Sequence, residues 1–259
     1  MERQMGCLLS PNDLRDYRFK PVQATKLPET FDIPASQIKD QGWVGSCVAH
    51  ALSSMLEKYN ETFSTGWIYG YRPEGYWQGT GMYPREALKT LQKLGAVKQQ
   101  DFPYNIEMEK AKKIVDNELD RLVKLAEQFK IKSYVRLFTE NEIKQFLLST
   151  NCPIPISIST RNMELENGIL QVPESYANLG GHMILIIGWN ETGFIIQNSW
   201  GEEWGDKGLG ILPYEYKINE AWGVVLNESP INPVKKPIFY LLRTLIQKMI
   251  TVLTQILRR

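Results

Sequence analysis

Residues 41–57 read Gln41-Gly42-Trp43-Val44-Gly45-Ser46-Cys47-Val48-Ala49-His50-Ala51-Leu52-Ser53-Ser54-Met55-Leu56-Glu57, and the fold turns on this stretch. From Cys47 onward, apolar residues at 48, 52, 55 and 56 repeat at helical spacing, which predicts a helix with one buried stripe. Ser46 stands where an N-cap hydroxyl can accept an orphan backbone N–H. Cys47 then occupies the first helical turn, at the positive end of the macrodipole, where a thiolate is favoured over a thiol. Gly42 and Gly45 let other backbone approach that sulfur closely. Gln41 carries a side-chain N–H that can steady an oxyanion, with the Cys47 N–H as second donor. His50, three residues beyond Cys47, is read as a core or hydrogen-bonding residue.

Working outward, two later segments answer this one. Gly180-Gly181-His182-Met183-Ile184-Leu185 places a histidine at the start of an apolar strand, behind two glycines. Gln197-Asn198-Ser199-Trp200-Gly201 supplies an amide oxygen that can fix an imidazole, and an indole that can shield their hydrogen bond. His182–Trp189 and Phe194–Gln197 are β-branched runs joined by Asn190-Glu191-Thr192-Gly193, which predicts a hairpin whose Asn and Gly take positive φ. Strands are also expected over Ile154–Ser159 and near Leu209–Pro213. Further helices are expected over Pro84–Leu94, stopped by Gly95, over Glu107–Phe129 and over Glu140–Leu148. Residues 1–30, broken by Pro11, Pro21 and Pro28, read as an extended arm. A mainly helical stretch at about 31–150 and a mainly antiparallel one at about 151–227 predict an α+β fold of two lobes with a cleft between them.

These segments resemble the papain-like cysteine peptidases, peptidase family C1. The resemblance rests on QGWVGSC, GGHMILIIGW and QNSWGEEWGDKG in this order, and spans about residues 13–227. The Cys47-to-His182 separation falls within the roughly 130–150 residues of such enzymes. Asp13–Tyr17 followed by Leu27–Asp32 is similar to the start of a bacterial and viral branch without a long inhibitory propeptide. Only residues 1–26 precede that start, so no propeptide of family size is expected. The resemblance implies a catalytic set of Cys47, His182, Asn198 and Gln41, and a β-barrel-like second lobe. The Gly79–Leu88 stretch is similar to the strip that binds extended substrate. Thr80 and Gly81 would pair there with substrate backbone, and Gly181 and Trp200 would line the same cleft. Val44 stands where many secreted members carry a disulfide cysteine. Val48 and Met183 depart from the family's usual neighbours of the two reacting residues.

Composition bounds the rest. The 259 residues are 43% hydrophobic and 23% charged, which predicts a packed core. With 30 basic and 29 acidic side chains, the net charge of +1 gives no reason to expect nucleic acid as a partner. Three cysteines, Cys7, Cys47 and Cys152, do not form a disulfide framework, and Cys7 and Cys152 are read as core residues. Two histidines and no Cys-x-x-Cys pair predict neither a metal site nor a cofactor. The polar N-terminal decapeptide is no secretory signal, so a reducing compartment, or a particle such as a virion assembled in one, is expected.

After a Pro-containing linker at 228–237, residues 238–259 are expected to form an amphipathic helix. Ile238, Leu242, Leu245, Met249, Val252 and Ile256 form its apolar seam. Docking on a partner or self-association is its first reading, with packing on its own domain and contact with a membrane surface ranked equally behind it. The function expected is cysteine-type endopeptidase action on peptide or protein substrates through an acyl-enzyme. A catalytically idle binding component of an assembly and an acyl-transfer enzyme using the same residues remain open.

Overall fold

The computed structural model describes residues 3–20, 26–72, 81–103 and 116–227. The expected helix at 238–259, Thr80 and the 107–115 part of the third expected helix lie outside them. Helix α1 spans Cys47–Leu56, and every one of its ten residues is buried. One apolar stripe was expected, but a helix packed on all sides must satisfy its polar residues internally. Ser53 Oγ does so, donating to His50 O and meeting Thr65 Oγ1 at 3.0 Å, while Lys39 Nζ donates back to Ser53 Oγ at 2.8 Å. Ser46 holds the N-cap position without making the expected cap bond; its hydroxyl instead meets His50 Nδ1 at 3.1 Å.

Helices α2 (Thr65–Gly70) and α3 (Pro84–Lys93) pack on α1, and α4 spans Asp116–Ala126. Helix α2 was not anticipated; Ser64 caps it by accepting the Trp67 N–H. Helix α3 begins at its proline and stops at Gly95, whose φ of +99° suits glycine.

The second lobe is a sheet of nine strands. These are β1 (Phe31–Asp32), β2 (Ile131–Leu137), β3 (Ile154–Thr160), β4 (Leu165–Glu166), β5 (Ile169–Leu170), β6 (Gly180–Trp189), β7 (Gly193–Gln197), β8 (Leu209–Pro213) and β9 (Ile218–Leu226). Their order is β2-β9-β3-β6-β7-β8-β5-β4, with β1 also paired to β6. That path has two ends, so the sheet is open rather than barrel-closed. Helix α5 (Glu140–Thr150) packs on β9 and β6. The β6–β7 hairpin forms where expected, by a different device. None of residues 190–193 has positive φ. Asn190 Oδ1 instead accepts the Thr192 and Gly193 N–H groups at 2.9 and 3.1 Å, closing the turn with its side chain.

Strands β2 and β9 escaped the sequence reading, and β2 joins the sheet before the 151 boundary expected for the strand lobe. Lys132, Ser133 and Arg136 make β2 look polar because it is an edge strand. The arm covers part of that edge: Arg136 N–H donates to Tyr17 O at 2.7 Å and Phe19 N–H to Arg136 O at 3.2 Å.

Candidate active site

Two elements carry the reacting candidates. Helix α1 starts at Cys47, and β6 opposes it with His182 near its start. On β6, His182 sits opposite Ile158 of β3 in an antiparallel ladder, which fixes the direction of its ring. The N–H of Met183, next after His182, faces the Cys47 sulfur across the α1–β6 contact.

His182 Nε2 lies 2.8 Å from Asn198 Oδ1. The same oxygen accepts the Ser199 N–H at 2.8 Å, and Asn198 Nδ2 turns toward Met163 Sδ at 3.6 Å. The amide is thus held with its oxygen toward the ring, which makes Nε2 the donor and leaves Nδ1 the acceptor. Nδ1 is buried and has no hydrogen-bond partner among the described residues. Trp200 lies over the ring at 5.0 Å between centroids and screens the Asn198 bond from water.

Gln41 is fully buried. Its Nε2 donates to Val44 O at 2.8 Å and to Gln4 O at 3.3 Å, while its Oε1 accepts the Ser199 hydroxyl at 2.9 Å. Sequence reasoning passed over Ser199, which touches both amides of the site; its place between Asn198 and Trp200 was the only available signal. Gly81 N–H donates to Tyr69 Oη at 3.2 Å and its carbonyl accepts from Arg72 at 3.0 Å, and the next residue, Met82, pairs its backbone with an extended chain.

That extended chain is the protein's own arm. Met82 N–H donates to Gly6 O at 2.9 Å, Leu8 N–H to Met82 O at 3.1 Å, and Cys7 N–H to Gly181 O at 2.9 Å. The arm was expected to be extended, but nothing in its sequence pointed to the cleft. Gly6 passes so close to Gly45 that a Cβ on it would overlap the Gly45 carbonyl.

Burial disfavours the charged forms of both reacting candidates in the covered site. Burial pushes the Cys47 thiol up to about 11, against the lowering effect of nearby backbone N–H groups from Met183, Gly6, Val48 and Cys47 itself. Desolvation of a sulfur with no exposed surface opposes the half-charge at the helix end. Burial likewise brings His182 down to about 4, despite the Asn198 bond. Burial, followed by the nearby Cys47, also drives the Cys7 thiol well above its ordinary value.

His50 is brought down to about 3, again chiefly by burial. Both histidines therefore stay neutral when folded, whereas an unfolded chain protonates them near 6.5. Their contribution to stability is complete above that value and is lost as pH falls toward the folded values. Each should cost about 1.4 kcal/mol per pH unit below 6.5. Urea midpoints should fall steadily from pH 6.5 to pH 5, before most carboxylates titrate. A flat midpoint over that window would refute the neutral burial of both rings.

A model of the papain family cysteine proteases matches residues 74–221 of this chain. The chain belongs to the papain family of cysteine proteases. That match includes His182 and Asn198 and begins after Cys47 and Gln41. An uncharacterised peptidase C1-like protein of Acanthamoeba polyphaga mimivirus is 29% identical over 209 residues, covering 70% of this chain and 65% of that protein. Cathepsin K of Mus musculus is 25% identical over 219 residues, covering 76% of this chain and 63% of its own length. This papain-family chain spans between 52% and 65% of the length of the first curated relatives it matches. Among solved structures, xylellain, a cysteine protease from Xylella fastidiosa, superposes with a TM-score of 0.74 at 25% identity, over 88% of this chain and 98% of that one. The two-lobed α+β arrangement is thus the papain-family fold.

Proposed function

We propose that this papain-family chain is a cysteine endopeptidase that hydrolyses peptide bonds with Cys47 as nucleophile and His182 as acid and base. One observation carries the reading: an imidazole anchored through Nε2 to Asn198, with Nδ1 unpartnered, on the strand whose next N–H reaches the Cys47 sulfur. In the open site, a proton passes from Cys47 Sγ to His182 Nδ1. The thiolate attacks the substrate carbonyl carbon, forming a C–S bond and placing negative charge on the carbonyl oxygen. Gln41 Nε2 and the Cys47 N–H receive that oxygen. His182 then returns its proton to the amide nitrogen, the C–N bond breaks and the amine departs. Water, deprotonated by His182, attacks the thioester, the C–S bond breaks, and the acid product leaves with the thiol restored. Ser199 holds Gln41 in position for this chemistry by donating to its Oε1.

The test is covalent trapping. The full chain is incubated to completion with an epoxysuccinyl peptide, and the adduct is located by mass spectrometry. A single adduct on Cys47, absent when the chain is unfolded in urea before exposure, is the expected result. An adduct on Cys7 or Cys152 instead, or equal labelling of the unfolded chain, rejects the reading.

A further inference from the structure

The loop between β3 and β4 holds one residue in an uncommon conformation. Met163 has a φ of +43°, in the left-handed region that costs any residue with a Cβ energy. Such a backbone persists only where its surroundings hold it. Here the Met163 N–H donates to Thr160 Oγ1 at 3.3 Å, and its carbonyl accepts the Trp204 Nε1–H at 3.1 Å. The outcome is that the Met163 sulfur faces Asn198 Nδ2 at 3.6 Å, with both side chains buried.

That sulfur completes the bonding of the Asn198 amide. The amide oxygen takes N–H groups from His182 Nε2 and from Ser199, each at 2.8 Å. The amide nitrogen is a donor in a buried place and needs an acceptor, and the thioether is one, though a weak one. Turned over, the amide would set its nitrogen against the Ser199 N–H and its oxygen against the sulfur. Donor would then meet donor and acceptor meet acceptor. Ser199 therefore locks the amide at its oxygen and Met163 locks it at its nitrogen. A leucine of similar volume would fill the same space and accept nothing.

We propose that Met163 is a positioning residue for the reaction: its thioether fixes the Asn198 amide, and through that amide the ring of His182. This role rests on His182 being the acid and base, as proposed above. The Met163 carbonyl serves the same ring by a second route. It anchors Trp204, which meets Trp200 edge-on at 6.4 Å between centroids, and Trp200 covers the imidazole. That route runs through the backbone, which a side-chain substitution leaves in place, so variants at 163 isolate the sulfur.

The test compares full-length Met163→Leu, which keeps the volume and removes the acceptor, with Met163→Gln, which offers an amide oxygen at similar reach. The first readout is solvent exchange of the His182 Nε2 proton, followed by NMR with isotope-labelled histidine and assigned by its loss in Asn198→Ala. Met163→Leu should speed that exchange about 2- to 10-fold, the scale of one modest hydrogen bond, and Met163→Gln should return it toward wild type. The second readout is turnover of a fluorogenic peptide. Met163→Leu should lower kcat by the same factor with KM unchanged, and should cost nothing more in an Asn198→Ala background. Unchanged exchange in Met163→Leu overturns the proposal, as does a wild-type proton that exchanges too fast to observe. Equal acceleration in both variants, or a full further loss on top of Asn198→Ala, also overturns it, because each marks packing rather than a hydrogen bond. Should Met163→Leu fail to fold, Met163→Gln decides: wild-type exchange upholds the role and faster exchange overturns it. If the wild type turns over no peptide while exchange in Met163→Leu still quickens, the peptidase reading falls and the hold of Met163 on Asn198 stands.

Discussion

Cys47→Ala is expected to lower kcat/KM on a fluorogenic peptide by about 10⁵- to 10⁶-fold, the scale on which loss of a nucleophile returns an enzyme near background. No other thiol can substitute. Cys152 is buried, and its thiol is pushed up to about 12. Cys7 is buried in the N-terminal arm and donates its backbone N–H to Gly181 O. The variant should stay folded. Alanine has the best helix propensity, and the volume lost is that of a single sulfur. An unchanged melting curve with no measurable turnover is the expected pair of results. Residual turnover above about a thousandth of wild type would mean the sulfur is not the nucleophile.

Trp189→Ala should destabilise the fold by about 3–5 kcal/mol, a large share of the 5–15 kcal/mol typical of a domain. Trp189 ends β6 with 1% of its surface exposed. Its ring meets Phe31 of β1 at 4.9 Å between centroids, and its Nε1 donates to Pro28 O at 3.1 Å. Truncation leaves a cavity and unpairs that carbonyl. It also loosens the segment that runs from β1 toward Gln41, so activity should fall before global unfolding. Urea denaturation at neutral pH checks this. A loss below about 1 kcal/mol would show that the sheet does not depend on that contact.

What the sequence disclosed and what it hid follow the distance over which each feature is determined. The start of α1, the stop at Gly95, the β6–β7 hairpin and strand β8 are set by neighbours in the chain, and their boundaries were readable to within a few residues. Asn198 and His182 could be matched because short motifs carry them. The seat of the arm could not be read. Cys7 bonding Gly181, and Arg3 bonding Trp200 O, join residues far apart in sequence, and no local period reports such pairings. Strand β2 was hidden by its charges, which an edge strand tolerates. The burial of Cys47 could not be read either, because helix position is visible in a sequence and cover by a distant arm is not.

Ser199 ties the two lobes together at the point of chemistry. Its carbonyl accepts the Gln41 N–H at 2.9 Å, its hydroxyl meets the Gln41 side chain, and its own N–H meets Asn198. The Gln41 amide and the imidazole's anchor are therefore parts of one clasp, although one comes from the loop before α1 and the other from the end of β7. A shift of either amide is thereby passed to the other through a single serine.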